Sequence, residues 1–316
     1  MNSFGYIFRL TDYGDTHGVA LGGMVDGCPA GVSWDEALLQ TMLSRRRASP
    51  ALPHVTARVE QDSVRILSGV HEQKTTGAPI GFLVENTDVQ PDREGLQALK
   101  PSHASFVYRQ KYLAENNSYC GRASARQTLN RVVGGAIAMM FLKTRNIEIE
   151  TYPLETIKDT REGDTAGAWV KGVIRHLPAG LGEPVYDKFH ARLAYSMLSI
   201  NAARAFEIGE GFAAARMSGS EYNDRQTADF RFLSNHDGGV QAGITNGQDV
   251  CFTVGFKPIP SLQMTQETIS FKGASCTLKA SSRNDSSVLP RVLPVIEAMT
   301  ALVVADFLLL EHGHCC

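Results

Sequence analysis

Hydrophobic and polar positions follow two distinct periods along the chain. Between 55 and 86 apolar residues recur at alternate positions (Val64, Ile66, Ile80, Phe82, Val84), with breaks at Gly69 and Gly77-Ala78-Pro79. That period of two, so interrupted, predicts antiparallel strands. From 124 to 146 the spacing turns helical, and Val132, Val133, Ile137, Met140 and Phe141 predict one apolar stripe. Ser33-Trp34-Asp35-Glu36 has the spacing of a capping box, so a helix is predicted from there to about Arg46. Further strands are predicted at 6–10, 147–152, 169–177, 206–217 and 250–258, and helices at 185–200 and 294–311. Long strand-rich stretches with few short βαβ units imply an α+β fold with mainly antiparallel sheets, in one domain over 1–316.

Charge and composition narrow the function classes. The 316 residues carry 31 basic against 33 acidic side chains, so a nucleic-acid coat is not expected and anion binding must be local. The longest apolar run, around 299–310, is interrupted by Asp306 and reads as a buried helix rather than a membrane span. The N-terminus lacks a basic flank followed by an apolar segment, so no secretory signal is expected. Six cysteines without C-x-x-C spacing read as reduced thiols of a soluble cytoplasmic protein. The tail His312-Gly313-His314-Cys315-Cys316 reads as a frayed end, and no metal site is expected. The chain has no G-x-G-x-x-G after a strand, no P-loop, no H-E-x-x-H and no G-x-S-x-G. Their absence argues against the commonest nucleotide, zinc-protease and serine-hydrolase readings.

Candidate chemistry lies in separated, glycine-flanked segments. His17 sits in Gly14-Asp15-Thr16-His17-Gly18, where it either presents its ring to a cavity or simply bonds to backbone in a turn. His103 follows Pro101 near Phe106, Tyr108 and Tyr112; taken alone it reads as structural. Arg45-Arg46-Arg47 closes the first helix, either complementing its dipole or gripping an anion. Arg122-Ala123-Ser124-Ala125-Arg126 precedes the next helix and reads as a phosphate cradle of guanidiniums, a hydroxyl and free backbone N–H groups. Asn235–Gly239 and Gly243-Ile244-Thr245-Asn246-Gly247 allow either close backbone approach to a flat ligand or an Asn-Gly hairpin. Lys257-Pro258-Ile259-Pro260-Ser261 ends a strand with a cation and a hydroxyl, and Arg283-Asn284-Asp285 sets a cation beside a carboxylate.

In their order along the chain these segments resemble the chorismate synthase family. Matching stretches include Phe8-Arg9-Leu10, Ile66-Leu67-Ser68-Gly69, Glu85-Asn86-Thr87-Asp88, Pro178–Asp187 and Ser199–Phe212. The resemblance implies a sandwich-like core of two antiparallel four-stranded sheets wrapped by helices, and a homotetramer or homodimer. It implies conversion of 5-enolpyruvylshikimate 3-phosphate to chorismate and phosphate, an anti-1,4 elimination requiring reduced FMN. NADPH or an external flavin reductase would supply the electrons. By the same resemblance His17 serves the departing phosphate as an acid, and His103 protonates or stabilises reduced flavin. Asp285 assists removal of the ring proton. Arg46, Arg47, Arg126 and Arg283 hold anionic groups, while Arg122, Ala123, Ser124, Asn201, Ala202, Ala242, Lys257, Pro258, Ser261 and Arg283 line the flavin site.

The chain departs from the family pattern at Asp15-Thr16, Cys120, Ala242 and Asn284, and it is shorter near 150–162. A second reading is therefore a non-catalytic paralogue that binds FMN or an anionic metabolite.

Overall fold

Two antiparallel sheets carry most of the predicted strands. The computed structural model describes residues 1–47, 62–87, 97–154, 161–279 and 285–311. The first sheet holds β1 (Ser3–Phe4), β2 (Arg9–Gly14), β3 (Ala20–Asp26), β4 (Val64–Ile66) and β7 (Ile80–Glu85) in the order β1-β2-β3-β7-β4. The second holds β8 (Glu148–Pro153), β9 (Ala168–Arg175), β10 (Ala203–Ile208) and β13 (Val250–Phe256) in the order β10-β13-β9-β8. Three small hairpins complete the strands: β5 (Val70–His71) with β6 (Lys74–Thr75), β11 (Val240–Gln241) with β12 (Ile244–Thr245), and β14 (Thr265–Ile269) with β15 (Ser275–Lys279). The α+β class with two antiparallel sheets holds; the first sheet has five strands because the two-residue β1 joins its edge.

The helices are α1 (Glu36–Arg47), α2 (Ser105–Tyr112), α3 (Thr128–Lys143), α4 (Phe189–Leu198), the single turn α5 (Gly219–Tyr222) and α6 (Leu289–Glu311). Rather than only wrapping the sheets, α3 and α6 lie between them: α3 packs on β2, β3 and α6, and α6 packs on β8 and β9. Both are apolar nearly all round and buried accordingly. At 23 residues α6 is longer than the apolar run read at 299–310 and apolar enough to cross a membrane, but 89% of its most apolar window is buried in the protein, in line with the buried helix expected there. It is a core helix.

Where the predicted bounds shift, a local cause is visible. The strand predicted at 6–10 is displaced because Gly5 turns the chain at φ +93°. The amides of Tyr6, Ile7 and Phe8 then donate to the Asp306 carboxylate at 2.7–3.0 Å instead of to a neighbouring strand. The predicted strand 206–217 ends at Ile208, where Gly209 and Gly211 adopt positive φ and a 3-10 stretch, Gly211–Arg216, follows. The helix predicted at 185–200 begins only at Phe189, after Asp187 in the left-handed region. The first helix is capped by Asp35, whose Oδ1 accepts from the Leu38 amide at 2.9 Å; Ser33 pairs with Lys74 as an isolated bridge. The turn between β11 and β12 falls at Ala242-Gly243 rather than at Asn246-Gly247, with φ of +53° and +99°. Residues 48–61 (and with them the start of the alternating stretch), 88–96, 155–160, 280–284 and 312–316 lie outside the described residues.

Candidate active site

The segment Gly121–Arg126 is a hub on which several predicted residues meet. It leads into α3 through two 3-10 stretches, because Ser124 is extended (φ −68°, ψ 144°) and delays the α-helix to Thr128. Ser124 Oγ accepts from the Arg126 amide at 3.3 Å, so the serine caps the turn as ordinary N-capping requires.

On one side of the hub stand the arginines. The Arg122 guanidinium is committed to protein: it donates to Asp12 (2.5 Å), Asn2 (2.8 Å), Gly14 O (3.0 Å) and Gln127 (3.0 Å). Its side chain is thus a clamp between β2 and the hub. Arg46 and Arg126 are both buried and share one carboxylate, Asp62, at 3.4 and 2.7 Å. Arg46 also donates to Thr128 Oγ1 and to the carbonyls of Ala125 and Arg126. A cleft of about 150 Å³ opens beside them, lined by Gln40, Leu43, Ser44, Arg47 and Asp62.

His17 lies on an exposed turn against the hub. Its amide donates to Asp15 Oδ1 at 2.7 Å, and Thr16 Oγ1 donates to Gly121 O at 3.1 Å. A side chain at position 121 would run into the Asp15 carboxylate, since a Cβ there falls 2.0 Å from Oδ1. Asp285 approaches from α6. Arg291, in the first turn of the helix, pairs with it at 2.6 Å and also donates to Arg47 O. Arg283, with Asn284, lies outside the described residues.

On the other side of the hub the cations face one another. Asn201 Nδ2 donates to Ala123 O at 2.8 Å, and the Ala202 carbonyl (φ +66°) accepts from the Lys257 amide at 2.9 Å. Lys257 Nζ reaches Ser102 O at 2.9 Å, beside His103. Burial pushes His103 down to about 4, helped by Lys100 and Lys257, and its Nδ1 pairs with Ser105 Oγ at 3.1 Å. Lys257 is itself lowered by burial and by Arg204. At neutral pH the His103 imidazole is therefore uncharged in a positive environment. Pro258 is exposed and Ser261 half-buried on the run-out from β13, which Thr165 fixes by donating to Ile259 O. Mutually repelling cations beside half-buried backbone suit a phosphate-bearing, flat anion, so the residues present fit a flavin mononucleotide.

One predicted cofactor residue stands apart. Gly243 O accepts from Phe189 N at the start of α4, whereas Asn201 and Ala202 follow the end of that helix. Ten residues of helix span about 15 Å, so Ala242 is not gathered with the others in a single chain. The Asn235–Gly239 segment is likewise occupied structurally: Asp224 accepts from the His236 and Asp237 amides, and Asn235 braces Gly239 and Asp249. Sequence reasoning missed Asp62 and assigned no role to Asn86. Asn86 lay inside a matched motif; Asp62 carried no local pattern.

An α+β protein with a guanidinium hub flanked by an exposed histidine and a cationic pocket has the arrangement expected of one that handles anionic small molecules. The chain is similar over nearly its whole length to proteins of one family. The family model described as Chorismate synthase matches residues 8–160 and 153–309. The protein named Chorismate synthase from Bacteroides thetaiotaomicron is 43% identical over 352 aligned positions, covering 98% of each chain. That from Christiangramia forsetii is 42% identical, covering 98% of this chain and 97% of its own. A solved structure described as a crystal structure of chorismate synthase superposes with a TM-score of 0.78 at 25% identity, covering 98% of this chain and 94% of the other. The chain belongs to the chorismate synthase family.

Proposed function

We propose that this chain releases phosphate from 5-enolpyruvylshikimate 3-phosphate by anti-1,4 elimination, giving chorismate. The observation that supports the reading is the hub: Thr16 of the His17 turn bonds to Gly121 O, Arg126 carries the pairing with Asp62, and Asn201 on Ala123 O leads through Ala202 to Lys257 beside His103. Full-length similarity to enzymes of this name favours catalysis over a non-catalytic paralogue.

Arg46, Arg47 and Arg126 orient the anionic substrate, with Asp62 keeping the two buried guanidiniums together. His17, exposed beside them, donates a proton to the departing phosphate. Asp285, steered by Arg291, assists proton removal from the ring. Ala123, Ser124, Asn201, Ala202, Lys257, Pro258 and Ser261 hold reduced FMN, with Arg283 completing the set. When bound, that cofactor supplies electron density that eases C–O cleavage without net oxidation. His103 is uncharged before ligands bind, so its first role is hydrogen bonding; an anion beside Lys100 and Lys257 favours its protonation.

The protein works in the cytoplasm as a homotetramer or homodimer, and the remoteness of Ala242 supports a site to which a second copy contributes. The two family-model segments overlap at 153–160, which supports a shortened connection there. NADPH or a separate reductase delivers the electrons. The test is anaerobic: folded protein, saturating reduced FMN and the enolpyruvyl substrate should yield phosphate and chorismate in equal amounts. Absence of turnover under those conditions overturns the proposal.

A further inference from the structure

Asn86 follows β7 directly, inside the motif Glu85-Asn86-Thr87-Asp88, to which the proposed chemistry assigns nothing. Its side chain stands between two parts of the site. Nδ2 donates to Asp15 O at 3.0 Å and to Gly18 O at 2.8 Å, the two ends of the turn that carries His17. Oδ1 accepts from Arg126 Nε at 3.2 Å. The backbone is fixed as well, because the Asn86 amide donates to Val19 O at 3.0 Å and the turn is closed by Gly18 N to Asp15 O at 3.1 Å. The amide can face only one way: reversed, its oxygen would oppose two carbonyls and its NH₂ would oppose a guanidinium. Arg126 passes the restraint on to Asp62, and Asp62 to Arg46.

We infer that Asn86 is a positioning residue which couples the placement of the His17 turn to the placement of the Arg126–Asp62–Arg46 cluster. An anion that fixes Arg126 thereby fixes the turn from which the proton is delivered. No other standard side chain of this length offers two donors on one branch and an acceptor on the other. Aspartate keeps the bond to Arg126 but sets a carboxylate oxygen against the carbonyls of Asp15 and Gly18. Serine is too short to reach any of the three partners. These two substitutions therefore separate the two halves of the coupling.

The inference rests on the proposed reaction for its kinetic readout, and two further measurements are independent of turnover. In full-length protein, Asn86→Asp should lower kcat about thirtyfold with KM for the enolpyruvyl substrate within about twofold, whereas Asn86→Ser should lower kcat and raise KM about tenfold. In a His17→Ala background Asn86→Asp should lower kcat by less than about twofold, since residues acting as one unit are not additive. Without any substrate, amide exchange at Gly18 should quicken at least about tenfold in both variants. Inorganic phosphate, titrated calorimetrically, should bind N86D within about twofold of the parent and N86S about tenfold more weakly.

A parent protein without turnover sinks the proposed reaction and leaves the exchange and phosphate measurements to judge the coupling. Parental exchange at Gly18 in both variants, or a KM rise in N86D equal to that in N86S, overturns the inference. Should N86D fail to fold, unchanged Gly18 exchange and phosphate affinity in N86S overturn it equally.

Discussion

The two flanks of the hub hold positive charge in opposite ways. On the arginine flank the cations are paired before any ligand arrives: Arg122 with Asp12, and Arg46 and Arg126 with Asp62. On the lysine flank burial depresses both His103 and Lys257, with Lys100 and Lys257 adding to the first shift and Arg204 to the second. The first arrangement spends its charge on fixing geometry. In the second, Lys257 Nζ is held by a carbonyl, Ser102 O, rather than by a carboxylate. A sequence reading that counts cations treats both alike, yet the first should matter to stability as well as to anion binding, and Lys257 to anion binding alone.

The largest effect should follow from breaking the paired side. Asp62→Ala removes the carboxylate that two buried guanidiniums share and should cost about 3–5 kcal/mol in denaturant unfolding. If it costs less than 1 kcal/mol, the pairing is not structural and the contrast fails. Arg122→Met removes a clamp with four partners and should cost about 1.5–3 kcal/mol, measured the same way, because its bonds join a charged donor to half-buried acceptors. On the lysine flank Lys257→Met should leave stability within about 0.5 kcal/mol. The same change should weaken phosphate binding about tenfold, roughly 1.4 kcal/mol.

The His103 ring sharpens the comparison. Its folded value, about 4, lies below the ordinary 6.5, so its neutral form stabilises the fold above pH 6.5 and that contribution is lost as pH falls toward 4. NMR titration should find this midpoint in ligand-free protein, and phosphate should move it upward. A midpoint near 6.5 without ligand would remove the positive environment from the argument. Smallest of all, Ala242→Gly should relieve a left-handed alanine and raise stability by about 0.5–1 kcal/mol, read from the thermal midpoint.

Much of the architecture was legible because β9, β13 and α3 announce themselves locally: alternation or helical spacing is written in consecutive residues. The errors came where a distant partner overrode the local signal. Ser33 had the right spacing to Glu36, but its bridge to Lys74 keeps it out of the helix and leaves the capping to Asp35. The amides at 6–8 should have gone to a strand and were taken by a carboxylate some 300 positions away. The candidate site divides the same way. Arg46, Arg126 and Lys257 could be singled out by residue type and position, but that the first two share Asp62 depends on three segments meeting. Nothing in the order of residues around 62 says so. Among the described residues Arg291, in the first turn of α6, reaches back to the Asp285 carboxylate, a pairing that the order of residues alone did not single out.

The grip of Asp306 on residues 6–8 also bears on how the molecule is made. α6 comes after every other described element in the chain, yet it packs between the sheets and secures the link between the first two strands. Until α6 is made, the opening segment lacks the acceptor that three of its amides take in the fold. The first strands therefore settle only once a segment some 300 positions on is present, and a variant without α6 would lose the order of residues 6–8 along with the helix itself.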